Sequence, residues 1–210
     1  MIKAKVRTFY LTKINNIMQE YKPFLMSDDS KKDGHAETIM DYVLSWCLRC
    51  TNYRYVKDHQ PILYQYCAYM LFKLIDKELD LDYTSIDRVC VKKQEQGIDL
   101  WVEVELTKDK KTETHAILIE DKYYSPLGEN QLETYKPNFD AVYKDRSDIH
   151  RHYAVITCLY RDNKNFPPLE LKAQENGFDA YFVYDLLDPS LNGQESESDI
   201  FNEFFIREWL

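Results

Sequence analysis

One segment of the chain alternates apolar and polar residues strictly enough to predict a β-strand. From Ile98 to Leu106 every second residue is apolar, and most of the residues between them are acidic. The apolar set is Ile98, Leu100, Val102, Val104 and Leu106, and the opposite set is Asp99, Trp101, Glu103 and Glu105. Successive side chains of a strand point to opposite faces of a sheet. One face of this strand should therefore pack on a core while the other carries Asp99.

A second strand follows after a short polar stretch. Residues His115 to Lys122 include an apolar run and end in Glu120, Asp121 and Lys122. Glu120 and Lys122 are two residues apart and therefore share a face. The intervening stretch, Thr107 to Thr114, contains no hydrophobic residue. This pattern predicts a β-hairpin with a loop at 107–114.

The register of this hairpin decides whether its charged residues meet. Pairing Leu106 with His115 places Asp99 opposite Lys122, with Glu120 on the same face, because directly opposed residues share a face of the sheet. Asp99, Glu120 and Lys122 are then expected to cluster at the open end of the hairpin. A slip of one residue would separate them.

Two acids and a lysine at one point suit the hydrolysis of a phosphodiester, since acids bind a divalent cation that activates water. Gln131 and Tyr135 follow four residues apart, which places both on one face of a predicted helix. Each piece alone is common: a Glu-x-Lys pair occurs in many charged strands, and an Asp before a strand is often turn chemistry. The ordered combination is what supports an active-site interpretation.

These residues resemble the PD-(D/E)XK nuclease superfamily, and the Gln-x-x-x-Tyr element is similar to that of its RecB-like branch. The resemblance covers roughly residues 35 to 160. It implies Mg²⁺ (or Mn²⁺) as cofactor, with Asp99 and Glu120 as ligands and Lys122 positioning or activating the attacking water. It also implies that Gln131 and Tyr135 support the site or contact the nucleic-acid backbone. One departure is Ile98, which replaces the proline of the nominal motif.

Two further ligands are expected beside these residues. The main-chain carbonyl of Asp121 is one candidate. Glu37 is the other, because many members of the family place an acid on an N-terminal helix beside the metal. The alternative for Glu37 is an ordinary first-turn acid favoured by the helix dipole, and the sequence leaves both readings open.

The expected fold is α/β, with a restriction-endonuclease-like αβββαβ core, a mixed sheet flanked by helices, extra N-terminal helices and a C-terminal helix. The chain is expected to form a single domain, residues 1–210. Helices are predicted at 6–21, 36–50, 61–79, from 129 to 144 with a break or kink at Pro137, and at 199–210. Strands are predicted at 88–94, 98–106, 115–122, 153–160 and 181–187. Loops are predicted at 27–34, at 188–198 and around Pro167, Pro168 and Gly177.

Composition and charge limit the function only partly. A net charge of −9 gives no global attraction to nucleic acid, so a nuclease of this charge would depend on local basic patches and its metal. Three such patches are visible in the sequence: Arg49, Arg54 and Lys57; Lys108, Lys110 and Lys111; and Lys144, Arg146, His150 and Arg151. Cys47 and Cys50 form a Cys-x-x-Cys pair, but it lies in a helical pattern and has no partner pair downstream, so the five cysteines are expected to be buried thiols. His150 and His152 are expected in a solvated turn.

We expect no membrane partner, because no apolar run is long enough to span a bilayer, and a cytoplasmic location by default. The predicted function is metal-dependent hydrolysis of nucleic acid, with DNA as the expected partner. The alternative is a catalytically inactive nucleic-acid-binding or protein-interaction module of the same fold. The retained acid–acid–lysine set favours hydrolysis, and the acidic net charge favours the alternative.

Overall fold

The computed structural model describes residues 36–82 and 84–207. The predicted helix at 6–21 and the predicted loop at 27–34 lie outside the described residues. Within them, the protein is a mixed α/β structure in which helices flank a five-stranded mixed sheet. No helix in the described ranges is both long enough and apolar enough to cross a membrane.

The helices and strands have the following bounds. The helices are α1 (Ala36–Cys50), α2 (Arg54–His59), α3 (Pro61–Leu74), α4 (Gln131–Val142), α5 (Phe166–Glu175) and α6 (Asp199–Phe201). The strands are β1 (Thr84–Glu95), β2 (Ile98–Lys108), β3 (Lys111–Lys122), β4 (Ile149–Thr157) and β5 (Asp179–Phe182). Short 3₁₀ turns cover Val183–Leu186 and Pro189–Leu191, and α6 continues as a π-helical segment, Asn202–Arg207.

The sheet has the strand order β1-β2-β3-β4-β5. Strands β1, β2 and β3 form an antiparallel meander, whereas β4 runs parallel to β3 and β5 runs parallel to β4. Helix α1 packs on the meander, with α3 against it. Helix α4 lies against the face that carries Trp101, since the rings of Trp101 and Phe139 lie 4.8 Å apart.

The β2–β3 hairpin has a shorter loop than the sequence predicts. Lys108 pairs with Lys111, and the two turn residues Asp109 and Lys110 have φ of 50° and 65°. Positive φ at both positions is the geometry of a two-residue hairpin turn that matches the twist of the strands. The true register pairs Leu106 with Glu113, a slip of two residues from the predicted pairing. A slip of two keeps every side chain on its predicted face, because the period of a strand is two.

The structure bears on the sequence predictions at two proline sites. Helix α4 passes through Pro137 without a break. Its second half is held by Phe139, which is fully buried. The segment with Pro167 and Pro168 is helix α5 rather than a loop, because proline is compatible with the first turn of a helix. Leu169 and Ala173, four residues apart, give this helix its buried face.

Other boundaries shift without changing the order of elements. Helix α3 ends at Leu74, strand β4 covers Ile149–Thr157, and the predicted strand at 181–187 is split between β5 and a 3₁₀ turn. The predicted C-terminal helix is present up to Arg207, as α6 and the π-helical segment that follows it, and its last three predicted residues lie outside the described residues. Its buried residues are Phe201, Phe204, Phe205 and Ile206. All five cysteines are thiols rather than disulfides, and those at 47, 50, 67 and 158 are buried.

Three histidines meet at the edge of the sheet where β3 and β4 begin. His115 on β3 is 1% exposed, and its Nδ1 lies 3.0 Å from Nε2 of His152 on β4. The ring of His150 stacks on His115 at 5.1 Å. His150 and His152 therefore lie in a strand, not in the predicted turn. Burial, followed by the charges of His152 and Lys77, lowers the pKa of His115 to about 4.

This lowered pKa predicts a loss of stability in acid. The unfolded chain binds a proton at His115 below a pKa of about 6.5, but the folded protein does so only near pH 4. The free energy of unfolding should thus fall between pH 6.5 and pH 4, by at most about 3 kcal/mol. Urea unfolding across this range measures the loss. His115→Leu should flatten the profile, whereas His59→Ala, on an exposed helix, serves as the matched control. An unchanged slope in His115→Leu would contradict the assignment.

Candidate active site

The start of β2 and the end of β3 bring acids and a lysine together. Leu100 pairs with Ile119 at this end of the hairpin, so Asp99 comes next to Glu120. An Oδ2 atom of Asp99 accepts a hydrogen bond from the main-chain N–H of Asp121 at 3.1 Å. This contact ties the first residues of β2 to the last residues of β3. Asp99 is half-buried, whereas Glu120 and Lys122 are buried.

Glu120 is the centre of this group. Its Oε1 atom accepts hydrogen bonds from the Lys122 ammonium and from the side-chain amide of Gln131. Its Oε2 atom is buried and has no hydrogen-bond partner among the described residues. Two donors on one oxygen and none on the other leave the carboxylate with a vacant acceptor. Such an orphaned oxygen calls for an explanation, and a cation bound there would provide one.

Burial and the charges in this cluster alter the pKa values of Glu120 and Lys122. Burial first, and then the charge of Asp99, raise the pKa of Glu120 to about 8, although Lys122 opposes the shift. Burial by itself would lower the pKa of Lys122, but the neighbouring carboxylates, Glu120 first, outweigh burial and raise it. Lys122 is therefore held as a cation. A metal cation bound at Glu120 would add a second positive charge and favour the carboxylate form of Glu120.

Gln131 and Tyr135 both lie beside this cluster. The Gln131 carbonyl oxygen accepts a hydrogen bond from the main-chain N–H of Gly128 at 3.0 Å, which leaves its amide to donate to Glu120. Tyr135 lies against the β1–β2 turn just before Asp99, since a Cβ added at Gly97 would be 3.4 Å from its ring. Gly97 has φ of 83°, a conformation suited to glycine. Helix α4 thus presents both residues to the start of β2 and the end of β3.

Glu37 is in the first turn of α1 and approaches the cluster from the other side of the sheet. Its Oε1 atom accepts a hydrogen bond from the hydroxyl of Ser125, in the loop after β3. Its charge also helps to raise the pKa of Lys122, which places it near that ammonium. Both readings of Glu37 survive: it occupies a first-turn position and it also borders the acids.

A second carboxyl pair lies on the opposite face of β3, and sequence reasoning missed it. The side chain of Asp121 points toward α1 and meets Asp41, and both residues are buried. Gln94 links this pair to the first cluster, because its amide donates to Asp41 at 3.3 Å and to Asp99 at 3.0 Å. The available signal was the spacing of Glu37 and Asp41, four residues apart on one helix face.

The Asp41–Asp121 pair is electrostatically unfavourable as two charges. Burial, and then the charges of Asp41 and Asp99, raise the pKa of Asp121 to about 10, and burial also raises the pKa of Asp41. The contact between the two buried carboxyl groups thus favours a state in which the pair holds one proton between them. The expected role of Asp121 through its main-chain carbonyl is compatible with this geometry. Main-chain N–H and C=O groups of a strand residue project to the same side, so the carbonyl faces Asp99.

The donor set fits a hard divalent cation in part. In the portion of the chain that the structure describes, no three His, Cys, Asp or Glu side chains are grouped so that they would hold a metal ion. Magnesium, however, is commonly bound through one or two carboxylates and several waters. The vacant Oε2 atom of Glu120, with Asp99 beside it, provides oxygen ligands of that type. Glu120 and Asp99 are therefore the residues that would hold the cation.

Comparisons with known proteins assign no family to the chain. No protein-family model matches it, and no curated protein and no solved structure matches it either. The chemical interpretation of the site therefore depends on the side chains themselves and on their resemblance to a known motif.

Proposed function

We propose that the protein hydrolyses phosphodiester bonds of nucleic acid, with DNA as the first substrate to consider, in a reaction that depends on Mg²⁺ or Mn²⁺. We further propose that its core is of the restriction-endonuclease-like type. The order of elements supports this fold: helix α1, the antiparallel meander β1–β3, helix α4 and the parallel strand β4. Asp99, Glu120 and Lys122 would form the catalytic set of a PD-(D/E)XK nuclease.

The observation that carries the proposal is the arrangement around Glu120. One of its carboxylate oxygens binds Lys122 and Gln131, while the other is buried and vacant next to Asp99. A purely structural Glu–Lys pair has no need of a second acid beside a vacant buried oxygen, because adjacent carboxylates repel each other. A site that accepts a cation and an anionic substrate explains all three features at once.

Each residue then has a separate task. Gln131 fixes the rotamer of Glu120, because the carbonyl oxygen of Gln131 is itself held by the N–H of Gly128 while its NH2 group donates to Glu120. Lys122 provides a positive charge that stabilises negative charge developing on the phosphate. Asp99 is kept in place by Asp121 and Gln94. A bound divalent cation supplies neutralisation of the phosphate and increases the acidity of a water molecule.

One of the three basic patches predicted from the sequence lies far from this site. Lys108 and Lys111 are at the hairpin turn, roughly 30 Å along the strand from Glu120 at the usual rise per residue. Lys108 and Arg151 also form ion pairs, with Asp80 and Asp140 respectively. Cations near the end of β3, such as Lys122, would contribute affinity for a polyanion, and a bound divalent cation would add to it.

A nuclease assay tests this proposal directly. Single-stranded DNA, duplex DNA and RNA are incubated with the purified protein in Mg²⁺, in Mn²⁺ and in EDTA. We expect cleavage of at least one substrate in the presence of either metal and none in EDTA. Lys122→Ala serves as the inactive control against a contaminating nuclease. If no substrate is cleaved under any metal condition, a binding module without hydrolysis replaces this function.

A further inference from the structure

An apolar groove lies beside the carboxylates and has no part in the function proposed so far. It is bounded by the loop after β3, the loop after β4 and the start of α5, and its volume is about 320 Å³. Its lining includes Tyr124, Leu127, Leu159, Pro168, Leu169 and Lys172. The Tyr124 side chain is 43% exposed, and Leu127, Leu159 and Leu169 form the buried floor. A volume of this size is at the lower end of the range for small-molecule pockets.

The groove and the carboxylates occupy the same edge of the sheet. Strands β3 and β4 are parallel, and the two loops that form the groove both leave from the carboxyl ends of these strands. Glu120 and Lys122 are the last residues of β3 on this edge. Ligands of open α/β sheets bind in the crevice outside the carboxyl ends of parallel strands. The groove is thus where this topology would place part of a substrate.

A chain of hydrogen bonds joins the groove to Glu120. The Lys172 ammonium donates to the main-chain carbonyl of Gly128 at 2.8 Å. The N–H of Gly128 donates to Gln131, whose amide in turn donates to Glu120. Only one loop residue and one side chain therefore separate the wall of the groove from the vacant carboxylate oxygen.

We propose that this groove takes an unpaired nucleobase of the nucleotide next to the phosphate at Glu120 and Lys122, and that the protein prefers single-stranded nucleic acid. This inference rests on the proposed function, which puts the phosphate at that end of β3. The Tyr124 ring packs against Tyr123 and remains partly exposed beside the apolar lining of the groove, which offers a base a stacking surface that tolerates any sequence. Lys172, on the wall of the groove, adds positive charge beside the nucleotide. Bases of a duplex are stacked and paired, and entering such a groove would cost unpairing energy.

Binding experiments in EDTA test the groove without cleavage. Fluorescence anisotropy compares a labelled single-stranded oligonucleotide, the same sequence as a duplex, and an abasic chain of equal length. The single strand should bind at least about 5-fold more tightly than the abasic chain, as expected for a stacking contact. Tyr124→Ala should remove this difference, and Tyr124→Phe should restore it. Tyr55→Ala, which removes a more exposed tyrosine outside the groove, should bind like wild type.

A second variant guards against a fold effect of Tyr124→Ala. Asn165 lines the groove from its exposed rim and makes no side-chain cap on α5. Asn165→Trp should fill the groove and weaken single-strand binding to the level of the abasic chain. Equal affinities for the normal and abasic chains would overturn the proposal. Tighter binding of the duplex than of the single strand, unchanged in Tyr124→Ala and Asn165→Trp, would also overturn it.

The same measurements separate this inference from the proposed function. Cleavage that requires Lys122 but is insensitive to Tyr124 and to base removal overturns the groove and leaves the nuclease standing. The opposite outcome is base-dependent binding that Tyr124→Ala abolishes, with no cleavage of any substrate. It would support the groove as a base-binding pocket and overturn the proposed nuclease activity.

Discussion

Replacing Lys122 by Ala should lower the metal-dependent phosphodiesterase rate by about 10²-fold or more, as expected when a group that stabilises transition-state charge is removed. The ammonium of Lys122 is largely buried and bonds to Glu120, so its positive charge lies directly at the carboxylates. Lys122→Met should have an equal effect, because it keeps the length of the side chain but not its charge. Initial rates at saturating Mg²⁺ on a labelled oligonucleotide measure both variants.

The control for this experiment is Lys108→Met, which removes an exposed lysine at the far end of the same hairpin. Its rate should equal that of wild type. Circular dichroism and thermal unfolding establish that Lys122→Met retains the fold. Equal rates for wild type and Lys122→Met would assign the observed cleavage to another residue or another protein, and the binding module would then be the better description.

The faces of the central strands could be read from the sequence because their pattern is strict. Alternation from Ile98 to Leu106 places Asp99 on the face opposite the apolar set, and that placement survives a two-residue error in register. The register itself was not readable. Polar residues nevertheless pair as strand residues at Thr107, Lys108 and Lys111–Thr114. The ladder is made by main-chain N–H and C=O groups, which polar residues carry as well as apolar ones.

Contacts between segments far apart in the chain could not be predicted from the sequence. The meeting of Asp41 with Asp121 depends on how α1 crosses the sheet, and no local pattern specifies that crossing. Two buried acids in contact also contradict the usual preference of carboxylates for solvent. The continuity of α4 through Pro137 likewise depends on tertiary packing, because the burial of Phe139 against Trp101 compensates for the lost main-chain hydrogen bond.

Replacing Glu120 by Gln should weaken binding of the divalent cation, at least about 10-fold by comparison with changes around other metal sites. The Gln carbonyl oxygen would keep the donors Lys122 and Gln131, which turns the new amide group toward the position of the vacant Oε2 atom. An amide N–H repels a cation, whereas a carboxylate oxygen is the ligand that a hard cation prefers. Titration calorimetry with Mn²⁺ measures this loss without any substrate.

Stability should change little in Glu120→Gln, because burial already raises the pKa of Glu120 to about 8 and disfavours its charged form. The cleavage rate of this variant should recover in part at high Mg²⁺ or Mn²⁺, since added metal offsets a weaker affinity. Lys122→Ala should show no such recovery, because its defect lies in transition-state charge. Glu105→Gln is the matched control, because Glu105 lies on β2 on the same face of the sheet as Glu120 and is more exposed. Wild-type Mn²⁺ affinity in Glu120→Gln would remove Glu120 from the ligand set and leave Asp99 and Glu37 as the acids to test.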